Sequence, residues 1–272
     1  MNVLQRIVKD HPFFSFVILA FSITWVGSSI YHFSFQKRSI ELPAIFALVS
    51  SFIWYYGPCV AALVVSRMTK GNLGIRNLFK RMLQWRVKWS CYLFIFLYPV
   101  ALHLSVVGLD YLINGTTITF FQAEGVPQGN VIVILLGLIL LQIFQRGIGE
   151  ETGWRGFALP ALMTKHSVFK ANLILGLIWA IWHFHPANFN ALISIGGFFV
   201  FLNIFLTTFL FTWLYIHTNG SLLMAILFHM SLNIMEYIIP IGIAETSLPR
   251  HFLQIGFILL TVVGLYFFGF IR

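Results

Sequence analysis

The 272-residue sequence is 59% hydrophobic and only 9% charged, and phenylalanine occurs 30 times. Soluble domains carry roughly 25% charged residues, so this chain has too little charge to cover a water-facing surface and belongs in a bilayer. Its formal net charge of +9 is gathered between apolar runs, not interleaved with a solvated aromatic face, which argues against nucleic acid as a partner.

The first apolar run, roughly 12–33, is too long for the core of a cleavable signal peptide, and no A-x-A-like site follows it. It is the first of eight candidate spans, a span needing about 20 mostly apolar residues. The others are roughly 43–66, 89–113, 131–152, 168–187, 194–216, 221–239 and 251–271. No soluble domain fits between them, and the longest connection is 67–88. The expectation is an all-α polytopic membrane protein, a single domain over 1–272, with a motif-bearing core at about 131–239. Cys59 and Cys91 lie in apolar runs and read as small buried residues, not as a disulfide or half of a zinc site.

Lysine and arginine placement sets the orientation. Arg6, Lys9, Arg67, Lys70, Arg76, Lys80, Arg81, Arg86, Lys88, Arg146, Arg155, Lys165, Lys170 and Arg272 fall on one side of an eight-span topology. Lys37, Arg38 and Arg250 fall on the other. Both termini are therefore expected in the cytoplasm. The loop 114–130, which has no Lys or Arg, is expected outside. The basic 67–88 loop reads as a topology determinant that touches anionic lipid.

Ionisable residues inside a span cost about 2.5–3.5 kcal/mol each on insertion scales, so they persist when paired or when they act. Three clusters do so here: 150-EETGWR-155, 179-WAIWHFHP-186 and 221-SLLMAILFHMSLN-233. Glu151 and Arg155 are one helical turn apart, which favours an ion pair, while Glu150 points about 100° away. His229 and Asn233 repeat that spacing, as do Trp179 and His183. His185 points roughly 200° from His183 if the helix continues. Pro160 is expected to bend or break its helix. If 131–163 and 168–185 form a hairpin closed by 164-TKHS-167, Glu150 and His183 reach similar depth, and His229 follows the next turn at 217-HTNG-220.

A carboxylate and two imidazoles converging in a water-accessible pocket suit hydrolysis. The carboxylate takes a proton from water, one histidine orients that water, and a second histidine with an amide donates to the developing oxyanion. A glutamate and two histidines also match the ligand set of a catalytic zinc, although H-E-x-x-H is absent. Sequence leaves both open. Glu236 shares the His229 and Asn233 face or sits at the outer water boundary, and the second place is preferred. His103 and Asp110 are expected to mark the outer end of the third span.

These three motifs, in this order, resemble the CPBP (Abi) family, which comprises type 2 CAAX prenyl proteases and bacteriocin-processing or immunity membrane proteins. The likeness rests on E-E-x-x-x-R at 150–155, the aromatic-x-x-x-H at 179–183 and H-x-x-x-N at 229–233, and covers about 145–235. It implies an eight-helix intramembrane endopeptidase, of glutamic type or metal-dependent, acting on a membrane-anchored and possibly prenylated CAAX-type polypeptide. Glu150 then resembles the general base and His183 its water-activating partner. His229 and Asn233 resemble the oxyanion side, and Glu151 and Arg155 supporting residues. No cofactor is required on the preferred reading. Zinc held by Glu150, His183 and His229 is the alternative. The resemblance also implies contact with membrane lipids and a place in a bacterial plasma membrane. Trp154 and Trp179 stand where the family often has Phe. Gly153, which costs about 1 kcal/mol against Ala in a helix, either admits close packing or loosens the helix. The competing functions are a non-proteolytic bacteriocin-immunity or binding protein and, with no motif behind it, a transporter.

Overall fold

The computed structural model describes residues 3–31, 44–118, 120–121, 129–241 and 248–267. Lys37, Arg38 and Arg272, counted above for orientation, lie outside the described residues, as does most of 119–128. The described residues are helical and contain no strand. In chain order the helices are α1 (Val3–Asp10), α2 (Pro12–Tyr31), α3 (Ala44–Met82), α4 (Trp89–Asn114), α5 (Val131–Met163), α6 (Val168–Trp182), α7 (Ile195–His217), α8 (Leu222–Ile238) and α9 (Leu248–Phe267). A 3₁₀ segment, Pro186–Ile193, joins α6 to α7.

Each of the eight expected spans falls on a helix. Five are long and apolar enough to cross a membrane, on α2, α4, α5, α7 and α9, while α6 and α8 are shorter apolar helices. The chain is a multi-pass membrane protein. The helix starts follow from side-chain caps. The Asn130 carboxamide accepts from the Ile132 and Val133 amides at the head of α5, and Ser167, Ser194 and Ser221 cap α6, α7 and α8 in the same way. Gly115, in the left-handed region at φ 68°, closes α4, as suits a residue without a Cβ.

Three expectations are corrected. The 67–88 segment is not a loop. Helix α3 continues to Met82 across a break at Gly71, where φ is 62° and ψ −148°, and only 83–88 is a connector. Helix α6 does not continue through His185. It ends at Trp182, and His185 precedes the 3₁₀ segment, since Pro186 disfavours a helical residue before it. Pro160 does not break α5, the second of its two expected effects, although a π turn stands just before it. The helix runs on to Met163, and its distortion lies in two π turns, Gln142–Gly147 and Trp154–Ala158.

The interior is built around α5. Trp154 and Trp182, both fully buried, meet edge to face at 5.7 Å, and Phe16 of α2 packs against Trp154 at 5.4 Å. The Trp25 indole donates to the Trp182 carbonyl at 3.1 Å, satisfying a backbone acceptor at the end of α6. Cys59 and Cys91 are free and buried.

Candidate active site

Glu150 and Glu151 ride on Ile148–Gly153, six residues of α-helix held between the two π turns. A π turn inserts one residue, so side chains beyond it rotate relative to those before, and such turns recur at functional sites. Close packing holds this piece in place. A Cβ on Gly149 would lie 2.7 Å from the Tyr55 carbonyl oxygen of α3, and one on Gly153 would overlap Pro58. Gly153 therefore admits close packing, the first of its two expected roles.

The second π turn leaves two backbone acceptors without helical donors. The Leu159 amide bonds back to the Trp154 carbonyl, which skips Arg155. Pro160 has no N–H to offer the Gly156 carbonyl. Arg81 of α3 fills both places, donating to Gly156 O at 2.9 Å and Arg155 O at 3.0 Å, and its Nε donates to Gly220 O at 2.7 Å. Nearby, the Gln84 carboxamide donates to Thr218 O and the Ser221 hydroxyl to Gln84 O. The segment expected to be a lipid-touching loop thus clamps the motif-bearing helices from the side of their turns.

Glu150 and Glu151 are 1% and 0% exposed, which matters because a buried carboxylate without partners is costly. Glu151 has two partners. Arg155 donates to its Oε1 at 3.1 Å, and His229 Nδ1 stands 2.7 Å from the same oxygen. The Arg155 guanidinium, itself fully buried, lies 4.0 Å from the ring centres of both Trp179 and Phe211, and cation–π attraction strengthens in such a desolvated sandwich. Glu150 faces the other way, as the helical geometry requires. The Trp179 indole donates to its Oε2 at 3.0 Å. His183 Nε2 lies 3.8 Å from Oε2, and His229 Nε2 lies 3.9 Å from Oε1.

Both imidazoles are oriented by their far nitrogens. His183 Nδ1 is 2.8 Å from the Trp179 carbonyl oxygen, which only accepts, so Nδ1 carries a proton and Nε2 faces Glu150. His229 is set likewise by Glu151. Histidines held through one nitrogen present the other in a fixed direction, as in metal and acid–base sites alike. Separations of 3.8 and 3.9 Å exceed a direct hydrogen bond and are within reach of one shared water. Asn233 opens onto the same cavity as both histidines. Its carboxamide donates to Gln142 Oε1 at 2.9 Å, and Gln142 is 1% exposed. His185 is buried against Trp54, edge to face at 4.6 Å.

Trp179, His183, His229 and Asn233 line a cavity of about 930 Å³, together with His103, Arg146, Glu236, Arg250 and His251. Glu236 thus opens onto the same space as His229 and Asn233, and its carboxylate is 3.7 Å from His103 Nε2. Asp110 pairs with Arg250 at 2.6 Å. Among the described residues, no three His, Cys, Asp or Glu side chains are arranged to hold a metal ion. Glu150, His183 and His229 nonetheless converge, with Oε2 of the carboxylate engaged by the Trp179 indole and the two Nε2 atoms 3.8 and 3.9 Å from its oxygens.

Sequence reasoning missed Gln142, Trp179 as a donor, and the braces from Arg81 and Tyr55. A buried glutamine in an apolar run was the available signal for the first. The contacts from α3 had none.

Residues 130–235 match the family described as Type II CAAX prenyl endopeptidase Rce1-like. The matched segment spans the helices that carry the three motifs. A relative described as CAAX prenyl protease 2, from Methanococcus maripaludis, is 30% identical over 154 residues, covering 53% of this chain and 55% of its own length. The chain therefore matches about half the length of that curated relative. All three motifs, at 150–155, 179–183 and 229–233, fall inside the matched segment.

Proposed function

We propose that the chain is an intramembrane endopeptidase that cuts a peptide bond of a membrane-anchored, prenylated CAAX-type polypeptide, with 131–239 as its catalytic core. One observation carries this reading: a buried carboxylate, Glu150, is faced by the Nε2 atoms of two histidines at 3.8 and 3.9 Å, beside a cavity. The match to a CAAX endopeptidase family and a CAAX prenyl protease supports the substrate class. Neither comparison names an immunity protein.

In the proposed reaction Glu150 accepts one proton of a water whose other hydrogen bonds His183 Nε2. The water oxygen attacks the peptide carbonyl carbon. His229, its Nδ1 proton held by Glu151, carries a second proton on Nε2, and that N–H donates to the oxyanion. The Asn233 N–H not used by Gln142 donates alongside it. Such preorganised donors are worth about 2.7–4 kcal/mol each. As the tetrahedral intermediate collapses, the proton on Glu150 passes to the leaving nitrogen, giving an acid and an amine. Glu151 and Arg155 hold His229 in register, and Trp179 holds Glu150. Cytoplasmic termini, from the basic-residue distribution, complete the reading.

The test is cleavage of an S-farnesylated CAAX peptide by the purified chain in nanodiscs. Glu150→Gln keeps the shape and the Trp179 bond but removes the base, and cleavage is expected to fall by at least ~100-fold with folding unchanged. Cleavage at the normal rate by that variant removes Glu150 from the role.

A further inference from the structure

Four arginines lie within or beside the helical interior, and three are committed. Arg81 is bound to three carbonyls, Arg155 to Glu151, and Arg250 to Asp110. Arg146 differs. It lines the cavity with His183, His229 and Asn233, yet it forms none of the ion pairs found among the described residues. Its Nε is buried without a hydrogen-bond partner. The guanidinium carbon sits 4.9 Å from the centre of the Tyr55 ring, and the side chain also hydrogen-bonds Tyr55, a neutral partner that directs the charge without neutralising it. An intramembrane arginine costs about 2.5–3.5 kcal/mol on insertion scales and ordinarily has a counter-charge. Here the side chain opens onto the cavity beside the reacting groups, which it shares with Glu236, Arg250 and four histidines, and it pairs with none of them.

We propose that Arg146 anchors a carboxylate of the substrate, the free carboxylate at the C-terminus of the peptide, on the leaving-group side of the scissile bond. This rests on the endopeptidase reading for its substrate and deepens it. The planar guanidinium fork matches a carboxylate, and a charge-assisted pair in a desolvated site is stronger than a neutral hydrogen bond. Distance selects the terminus. Arg146 precedes Glu150 by four residues, about 6 Å along the helix axis. With the reach of its own side chain, it meets a carboxylate within roughly three extended residues of the cut, at about 3.3–3.6 Å per residue. A chain bound this close to the cut places its end, not its middle, at Arg146. The anchor would make the enzyme measure a short distance from a chain end, a specificity that the Glu150 cluster alone does not supply.

The experiment separates binding from cleavage. A fluorescent S-farnesylated peptide with three residues after the modified cysteine is prepared as free acid and as C-terminal amide. A third form is amidated with Asp as the last residue. Binding is read by fluorescence anisotropy to the full chain carrying Glu150→Gln in nanodiscs, which keeps the peptide intact. The free acid is expected to bind at least tenfold tighter than the amide. Adding Arg146→Gln should abolish that preference by weakening the acid alone, and Arg146→Lys should retain part of it, which guards against a fold defect in the glutamine variant. Equal binding of acid and amide overturns the proposal. So does an Arg146→Gln loss that is the same for both peptides, which marks a structural role beside Tyr55. Binding of the Asp-ended amide at the strength of the free acid reassigns the anchor to side-chain carboxylates and overturns the terminus claim. If the unmutated chain cleaves none of the peptides while the Arg146-dependent preference stands, the endopeptidase reading fails and the anchor survives.

Discussion

The two halves of α5 are one helix in hydropathy and two in structure. Val131–Leu141 is regular α-helix, wholly apolar, with no buried residue. Gln142–Met163 is interrupted by two π turns and buries Gln142, Glu150, Glu151, Thr152 and Arg155. The first half meets lipid, and its backbone hydrogen bonds close within it. The second half meets α3, α6 and α8, and its polar groups are satisfied by one another and by side chains from neighbouring helices. In the interior of a membrane helix, charge is carried where neighbouring groups or a water-filled cavity supply partners.

The comparison breaks most sharply at Arg155. Arg155→Ala leaves Glu151 buried with one partner and removes the cation between Trp179 and Phe211, so a loss of about 3–5 kcal/mol is expected. It is read as failure to accumulate or as loss of the cooperative melt in detergent. Next comes Arg81→Ala, which exposes no catalytic group but strands two carbonyls at the second π turn. At about 1–3 kcal/mol for each unsatisfied acceptor, the melting temperature should fall, with activity per folded molecule partly kept. An unchanged melt would show that the π turn supports itself. Trp179→Phe is a smaller change. It keeps the ring and removes one hydrogen bond to Glu150, and kcat is expected to fall about tenfold, or ~1.4 kcal/mol, with little change in KM. Smallest of all is Leu136→Ile, on the lipid-facing half, where Leu136 is exposed and a shift within about 0.5 kcal/mol is expected. A large effect there would mean that the two halves do not differ as described.

Much of the site was legible because its chemistry is local in sequence. Glu150, Glu151 and Arg155 lie within two turns, and their division into an ion pair and a second, separately directed carboxylate follows from helical geometry alone. His183 and His229 were visible as ionisable groups in apolar runs. Their distances to Glu150 were not, because those depend on how three helices cross. Asn233 shows the limit. Its spacing from His229 was plain, but its partner is Gln142, on another helix and shifted by a π turn that no residue pattern announces.

The sequence by itself determined the membrane class, the helical spans and the residues able to carry chemistry, since hydropathy and charge act residue by residue. Tertiary structure decided which of those residues meet. It turned the basic 67–82 segment into a helix whose Arg81 binds α5, ended α6 before His185, and set both histidines against one carboxylate. These outcomes depend on packing between distant segments, where the need to satisfy every buried donor and acceptor selects partners that local pattern does not encode.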